Sequence, residues 1–272
     1  MKKSVNVQVF GNRDFEEGLQ IIKDAGFEAV ELNARDIINV DGSEEGIKKV
    51  KDQVLSKGLE IASLLGGWYS LFSDSSEKRK EEENTLVRDI NICKILGTDA
   101  LLVVPGAIRP SPEGDQPISY DKAYERSVES LKRVAPIAEE NKVFICVENV
   151  WNNFLITPIE MKNLIEEINS EFVGVYFDVG NILKYGFPEM WIRILGKLIK
   201  RIHLKDFKTA VGNNTGFCGL LQGDVNWPEV MKALKETGYN SYLTAEFGPY
   251  RYHPETVIYH LSLSIDKILG RK

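Results

Sequence analysis

Cysteine is scarce in this chain. The three residues, at 93, 146 and 218, are odd in number and widely scattered. That excludes a disulfide framework and a cysteine-built zinc site, and fits a reducing cytoplasm. Positive charge is not in excess: 34 Lys and Arg stand against 40 Asp and Glu, a formal net charge of −6 with no basic stripe. Nucleic acid and anionic membrane are therefore not expected partners. No apolar run reaches the roughly 18–20 residues that a bilayer span requires. The opening MKKSVNVQVF has two lysines but lacks the apolar stretch and cleavage pattern of a secretory leader. No Pro-, Gly- or Ser-rich linker interrupts the chain, so residues 1–272 read as one domain. A Walker loop, a Ser-His-Asp elbow and a glycine-rich dinucleotide fingerprint after the first strand are also missing.

What the chain does have is an ordinary globular balance, 43% hydrophobic and 27% charged, over a length that suits one barrel or two smaller domains. Short apolar runs alternate with longer amphipathic stretches. The runs are VNVQVF (5–10), AVELNA (29–34), EIASLLGG (60–67), ALLVVPG (100–106), VFICVENV (143–150), VGVYFDVGN (173–181), IKRIHLKDF (199–207) and SYLTAEF (241–247). Each is followed by a segment with apolar residues at helical spacing, such as Phe15, Leu19 and Ile22, or Tyr124, Val128, Leu131 and Ala135. Buried parallel strands and covering helices have these two periods. Gly26, Gly58, Gly97 and Gly238 close helices before the next strand. Asp14, Ser43, Ser119, Pro158, Pro188 and Pro228 open them. Eight such units predict a single (β/α)8 TIM barrel in the α/β class.

In a barrel of this kind, chemistry sits where the strands end. The fifth run closes on Glu148, the sixth on Asp178, the seventh on His203 and the eighth on Glu246. Alone, each reads equally as a helix cap, an ion-pair partner or a hydrogen-bonded histidine. Together, on consecutive strands at one depth, three buried carboxylates would repel each other unless protonated or neutralised. One divalent cation resolves the conflict. An oxygen-rich set with one imidazole suits Mn²⁺ first or Mg²⁺, with Co²⁺ and Zn²⁺ as alternatives.

The stretches VENVWNNF, FDVGN, IHLKDF, GDVNWPEVMKALKETGY and LTAEF resemble the xylose-isomerase-like TIM-barrel superfamily. They are most similar to its branch of sugar or sugar-phosphate isomerases and ketose 3-epimerases. The resemblance runs nearly end to end and is densest from 143 to 247. It implies a divalent metal, often manganese, held by Glu148, Asp178, His203 and Glu246, with Glu148 and Glu246 also moving the substrate proton. The implied partner is a small sugar or sugar phosphate. A homo-oligomer, dimer or tetramer, stays open. The resemblance departs at two positions. Asn181 stands where those epimerases place a histidine, and Thr209, next to Lys208, stands where they place an arginine. Asn181 can bind a sugar hydroxyl but cannot carry a proton. An inosose-type dehydratase on the same metal barrel is the alternative. An apurinic-site endonuclease-like hydrolase is disfavoured by only three histidines and the acidic balance. A non-catalytic sugar-binding barrel is the remaining class.

Further positions carry two readings each. Lys205 shares a strand face with His203 and, with the adjacent Asp206, would orient substrate or ligands. Trp68 and Tyr69, and Trp151 and Asn152, form a wall against the sugar or pack ordinarily. Arg109, in GAIRPSPEGDQP, meets an anionic group or is a solvated loop arginine. Glu31 is an acid standing behind the ligands or a structural ion-pair partner. The connection 207–227 is a lid, a phosphate-holding loop or a surface insertion. His253 and His260 are poor ligand candidates. The charged stretch 75–89 is a solvated helix face.

Overall fold

The computed structural model describes residues 1–110 and 117–271; residues 111–116 of the Arg109 loop and Lys272 lie outside the described residues. The chain runs β1 (Lys2–Asn6), α1 (Phe15–Asp24), β2 (Ala29–Asn33), α2 (Ala34–Asp41), α3 (Glu44–Ser56), β3 (Glu60–Trp68), α4 (Ser76–Leu96) and β4 (Ala100–Val104). It continues α5 (Tyr120–Asn141), β5 (Phe144–Glu148), α6 (Pro158–Ile168), β6 (Val173–Asp178), α7 (Val179–Ile182), α8 (Pro188–Leu195) and β7 (Ile199–Leu204). It ends β8 (Asp206–Phe207), β9 (Phe217–Cys218), α9 (Trp227–Glu236), β10 (Tyr242–Ala245) and α10 (Thr256–Leu269).

Strands β1 to β7 and β10 pair in parallel around a closed eight-stranded barrel. β10 seals it against β1, with Lys3 opposite Leu243 and Ser4 opposite Thr244. This is the (β/α)8 TIM barrel that the alternation predicts, because a parallel pair needs a crossover long enough to hold a helix.

Local chemistry starts and stops the helices. Asp14 accepts from the amides of Glu16 and Glu17, and Ser43 from that of Gly46. Thr157 and Glu160 form a reciprocal capping box at α6. Ser119 flanks α5 without a side-chain cap bond. Gly97 closes α4 at φ 79, donating to the carbonyls of Cys93 and Lys94, a conformation other side chains resist.

Two layers of buried side chains result. Outside the sheet, Val30, Val103, Val147, Phe177 and Ile202 meet Leu19, Ile90, Leu131, Leu164 and Ile192 from the helices. Inside the barrel, a small apolar cluster of Ala100, Leu102, Val104, Cys146 and Tyr176 is joined by buried Ser4, Asn6, Glu31, Ser63, His203 and Thr244.

Some boundaries differ from the sequence reading. Residues Val7–Phe10 form a 3-10 turn, not the end of a strand, because the Asn6 side chain accepts from the Gln8 amide and bends the chain. An additional helix, α2, follows β2 directly. Strand six stops at Asp178, whose carboxylate caps α7. The 207–227 connection contains the antiparallel pair β8–β9. Among the described residues no helix is long and apolar enough to cross a membrane.

Candidate metal centre and active site

Alternation along each strand sends every second side chain into the barrel. Glu148 ends β5, Asp178 ends β6, His203 lies in β7 opposite Asp178, and Glu246 follows β10 directly. One ligand atom from each of the four lies within 4.8 Å of every other. His203 Nδ1 faces the cluster, 2.9 Å from Glu246 Oε2, 3.2 Å from Glu148 Oε1 and 4.0 Å from Asp178 Oδ2.

The other ring nitrogen is held from behind. His203 Nε2 lies 2.8 Å from Glu31 Oε1. A carboxylate only accepts, so Nε2–H donates and Nδ1 is left facing the three acids. Glu31 is fully buried and also accepts from Asn6 Nδ2 (2.8 Å), Ser63 Oγ (2.8 Å) and Tyr176 Oη (2.7 Å). Four donors on one carboxylate offset its burial. Asn149, the residue after Glu148, braces Asp178 in a similar way: its side chain accepts from the Asp178 amide at 2.9 Å and donates to the Asp178 carbonyl at 2.8 Å.

Charge is tuned unevenly across the cluster. Burial pushes Glu148 up to about 7, against the pull of His203 and Lys205. Burial likewise raises Asp178. For Glu246 burial works in the same direction, but Lys205 and His203 outweigh it and hold its carboxyl well below the usual range. Burial alone would lower His203; the facing acids, Glu31 foremost, hold it well above its ordinary value. Such opposed shifts within one cleft are typical of functional sites.

Whether these residues suit a cation can be judged from one atom. Asp178 Oδ1 accepts the Asn181 amide at 2.7 Å. Asp178 Oδ2 is buried and makes no hydrogen bond of acceptable geometry, although the Lys205 ammonium lies 3.0 Å away. A buried carboxylate oxygen aimed at two further carboxylates and an imidazole nitrogen fits a divalent ion, and the donor set is one that hard and borderline metals accept.

Beside the cluster opens a cavity of about 360 Å³, whose lining includes Gln8, Asn181, Lys205, Phe217, Cys218 and Glu246. Its outer wall is the β8–β9 pair. Asp206, buried, ties that wall down: Oδ1 accepts from the amides of Phe207 (2.9 Å) and Val225 (3.2 Å), and Oδ2 from Leu221 N (2.9 Å) and Trp227 Nε1 (3.1 Å). Trp151 does not line the cavity. It donates to the Asn181 carbonyl at 2.8 Å and packs on Phe207 and Phe217, backing the wall. Asn181 spends its side-chain amide on the Asn149 carbonyl at 2.9 Å.

The structure thus brings Glu148, Asp178, His203 and Glu246 together and sets Asn181 and Lys205 beside them. Trp68 and Arg109 are exposed and lie outside the cavity lining. Tyr69 is buried, donating to Asp89 at 2.7 Å, and Asn152 is buried on the Gly106 carbonyl at 2.7 Å. Gln8, Phe217 and Cys218 are lining residues that strand-end reasoning misses; the length of the 207–227 connection is a signal for Phe217 and Cys218, and Gln8 carries none. Asn149 carries a stronger signal, a buried amide directly after a strand-closing acid.

Fold and site together define a TIM barrel with a metal-capable acid cluster at the ends of its strands. Residues 19–264 match the xylose isomerase-like TIM barrel family, and the chain belongs to it. Among solved structures, the chain is similar to D-psicose 3-epimerase with D-tagatose from Clostridium cellulolyticum H10, with a TM-score of 0.83 and 18% identity over 99% of both chains. It is similar also to the IOLI protein with a zinc atom, with a TM-score of 0.84 and 20% identity over 99% of this chain and 98% of the other. Inosose dehydratase 2 of Bacillus cereus is 23% identical over 182 residues, covering 63% of this chain and 60% of that protein's length. At these identities the likeness to the solved structures speaks for the fold.

Proposed function

We propose that this barrel is a divalent-metal-dependent sugar or sugar-phosphate isomerase or epimerase, of the ketose 3-epimerase kind, working by proton transfer beside a carbonyl. The reading is carried by one observation: the side chains of Glu148, Asp178, His203 and Glu246 converge within 4.8 Å at one end of the barrel. These four residues would hold the ion, Mn²⁺ first, with Mg²⁺, Co²⁺ and Zn²⁺ as alternatives. A metal bound there supplies a Lewis acid that favours charge build-up on a sugar's carbonyl and neighbouring hydroxyl.

The protein's own contribution is position and proton traffic. Glu246 stands at the cavity wall, where it would reach a carbon-bound proton of a sugar in the cavity; Glu148 lies deeper, 7% exposed, its Oε1 3.2 Å from the same His203 Nδ1 that stands 2.9 Å from Glu246 Oε2. Two carboxylates in such unequal surroundings take opposite proton roles, one accepting and one returning. Returned to the same carbon from the other face, the proton inverts that centre; delivered to the neighbouring carbon, it exchanges aldose and ketose. Gln8 offers hydrogen bonds to hydroxyls, while Phe217 and Phe247 give the cavity an apolar side that limits water.

A second reading, an inosose-type dehydratase, is favoured by the likeness to inosose dehydratase 2 and by Asn181 at the position where the epimerases carry histidine. A panel of free and phosphorylated ketoses, incubated with Mn²⁺ in D₂O, separates the two. Deuterium in an isomeric product supports the isomerase, an unsaturated product supports the lyase, and neither product from a metal-loaded protein overturns both. Chelation abolishes the exchange and added Mn²⁺ or Co²⁺ restores it; exchange persisting in a verified metal-free sample would overturn metal dependence.

A further inference from the structure

The acid cluster already contains a cation of its own. Lys205 follows His203 by two residues, just past the end of β7, and its side chain turns into the cluster. Its Nζ lies 2.7 Å from Glu246 Oε2 and 3.0 Å from Asp178 Oδ2. The fold is built to keep it there. A Cβ added at Gly180 would come within 2.6 Å of Lys205 Cβ and 2.8 Å of its carbonyl carbon. Glycine at 180 therefore lets the lysine stem lie against α7, directly over the Asp178 cap. On the far side the ammonium lies 6.0 Å from the centre of the Phe217 ring. Among the described residues that line the cavity, Lys205 is the one Lys or Arg side chain.

We propose that Lys205 sets the metal affinity of the cluster, acting as a competing internal cation. Its ammonium shares carboxylate oxygens of Asp178 and Glu246 with any ion held by the four residues, and its charge repels a divalent cation at close range. The same charge relieves the repulsion among Glu148, Asp178 and Glu246 in metal-free protein. One side chain thus does opposite things to two equilibria: it keeps the metal-free barrel folded and makes the metal easier to release. This rests on the metal reading of the cluster, which the experiment tests separately.

The test compares wild type with Lys205→Met and Lys205→Gln, which remove the charge in apolar and polar form. Mn²⁺ affinity is measured by competition with a chelating dye, and thermal unfolding of metal-free and Mn²⁺-loaded protein by circular dichroism. Both variants are expected to bind Mn²⁺ more tightly, by on the order of tenfold or more. Both should also lower the metal-free Tm and recover most of that loss once Mn²⁺ is added. A variant that does not fold alone is refolded with Mn²⁺ and its affinity read by chelator titration. Wild type that binds Mn²⁺ while both variants bind it equally or more weakly would overturn the role of Lys205. Wild type that binds no Mn²⁺ would overturn the metal site itself.

Discussion

Neighbouring residues on one strand live in opposite worlds here. Val147, Phe177, Ile202 and Ala245 face the helices and are buried in apolar surroundings; Glu148, Asp178, His203 and Glu246, each one residue further on, face the barrel axis and each other. The same contrast separates Val30 from Glu31. Stability and chemistry are carried by the two faces of one sheet. The outer face gains free energy by removing apolar surface from water, roughly 25 cal/mol per Å². The inner face concentrates charge that only hydrogen bonds, Lys205 or a bound cation can offset.

If that division is real, substitutions on the two faces should fail in different ways. The largest effect belongs to the inner face. Glu246→Gln keeps shape and removes the carboxylate at the cavity wall. Turnover should fall by about 10²–10⁴-fold with the circular dichroism spectrum unchanged, and near-wild-type turnover would remove Glu246 from the chemistry. Next comes the outer face. Leu131→Ala, at a fully buried position in α5, should cost about 2–5 kcal/mol in denaturant unfolding. Its Mn²⁺ affinity in the folded protein should stay unchanged, and a matching loss of affinity would show that the two faces are not separable. Smallest is Glu31→Gln, which touches no substrate and lies behind His203. It should weaken metal binding by about 10–100-fold, and ¹⁵N NMR of His203 should report loss of the fixed Nε2–H form. A ring that keeps this form in the variant would mean that Glu31 does not orient it.

The four clustered residues were legible in sequence because each closes an apolar run, and a run's closing residue lands at the strand end whatever the details of packing. The helices were legible for similar reasons: caps at Asp14 and Ser43 and the glycine at 97 act through bonds to residues two to four positions away. What could not be read depends on contacts between distant segments. For Glu31 the sequence offers two readings, an acid behind the ligands or a structural ion-pair partner, and what decides is the convergence of Asn6, Ser63, Tyr176 and His203 on it from four other strands. VQVF alternates like a strand, and only the Asn6 bond to the Gln8 amide shows that it turns. β8 and β9 are two residues each, too short for any periodicity. Trp68 and Arg109 are of types that often meet ligands, but chain position alone does not say which way a loop residue turns.

The way Asp206 gathers the cavity wall has one more implication. The tie acts on Phe207 and on residues 221–227, while the exposed tip, residues 210–214, lies between those anchors. Lengthening or trimming the tip would leave the attachment points untouched. This stretch is therefore where the chain between β8 and β9 can change length without disturbing the cavity wall or the acid cluster behind it.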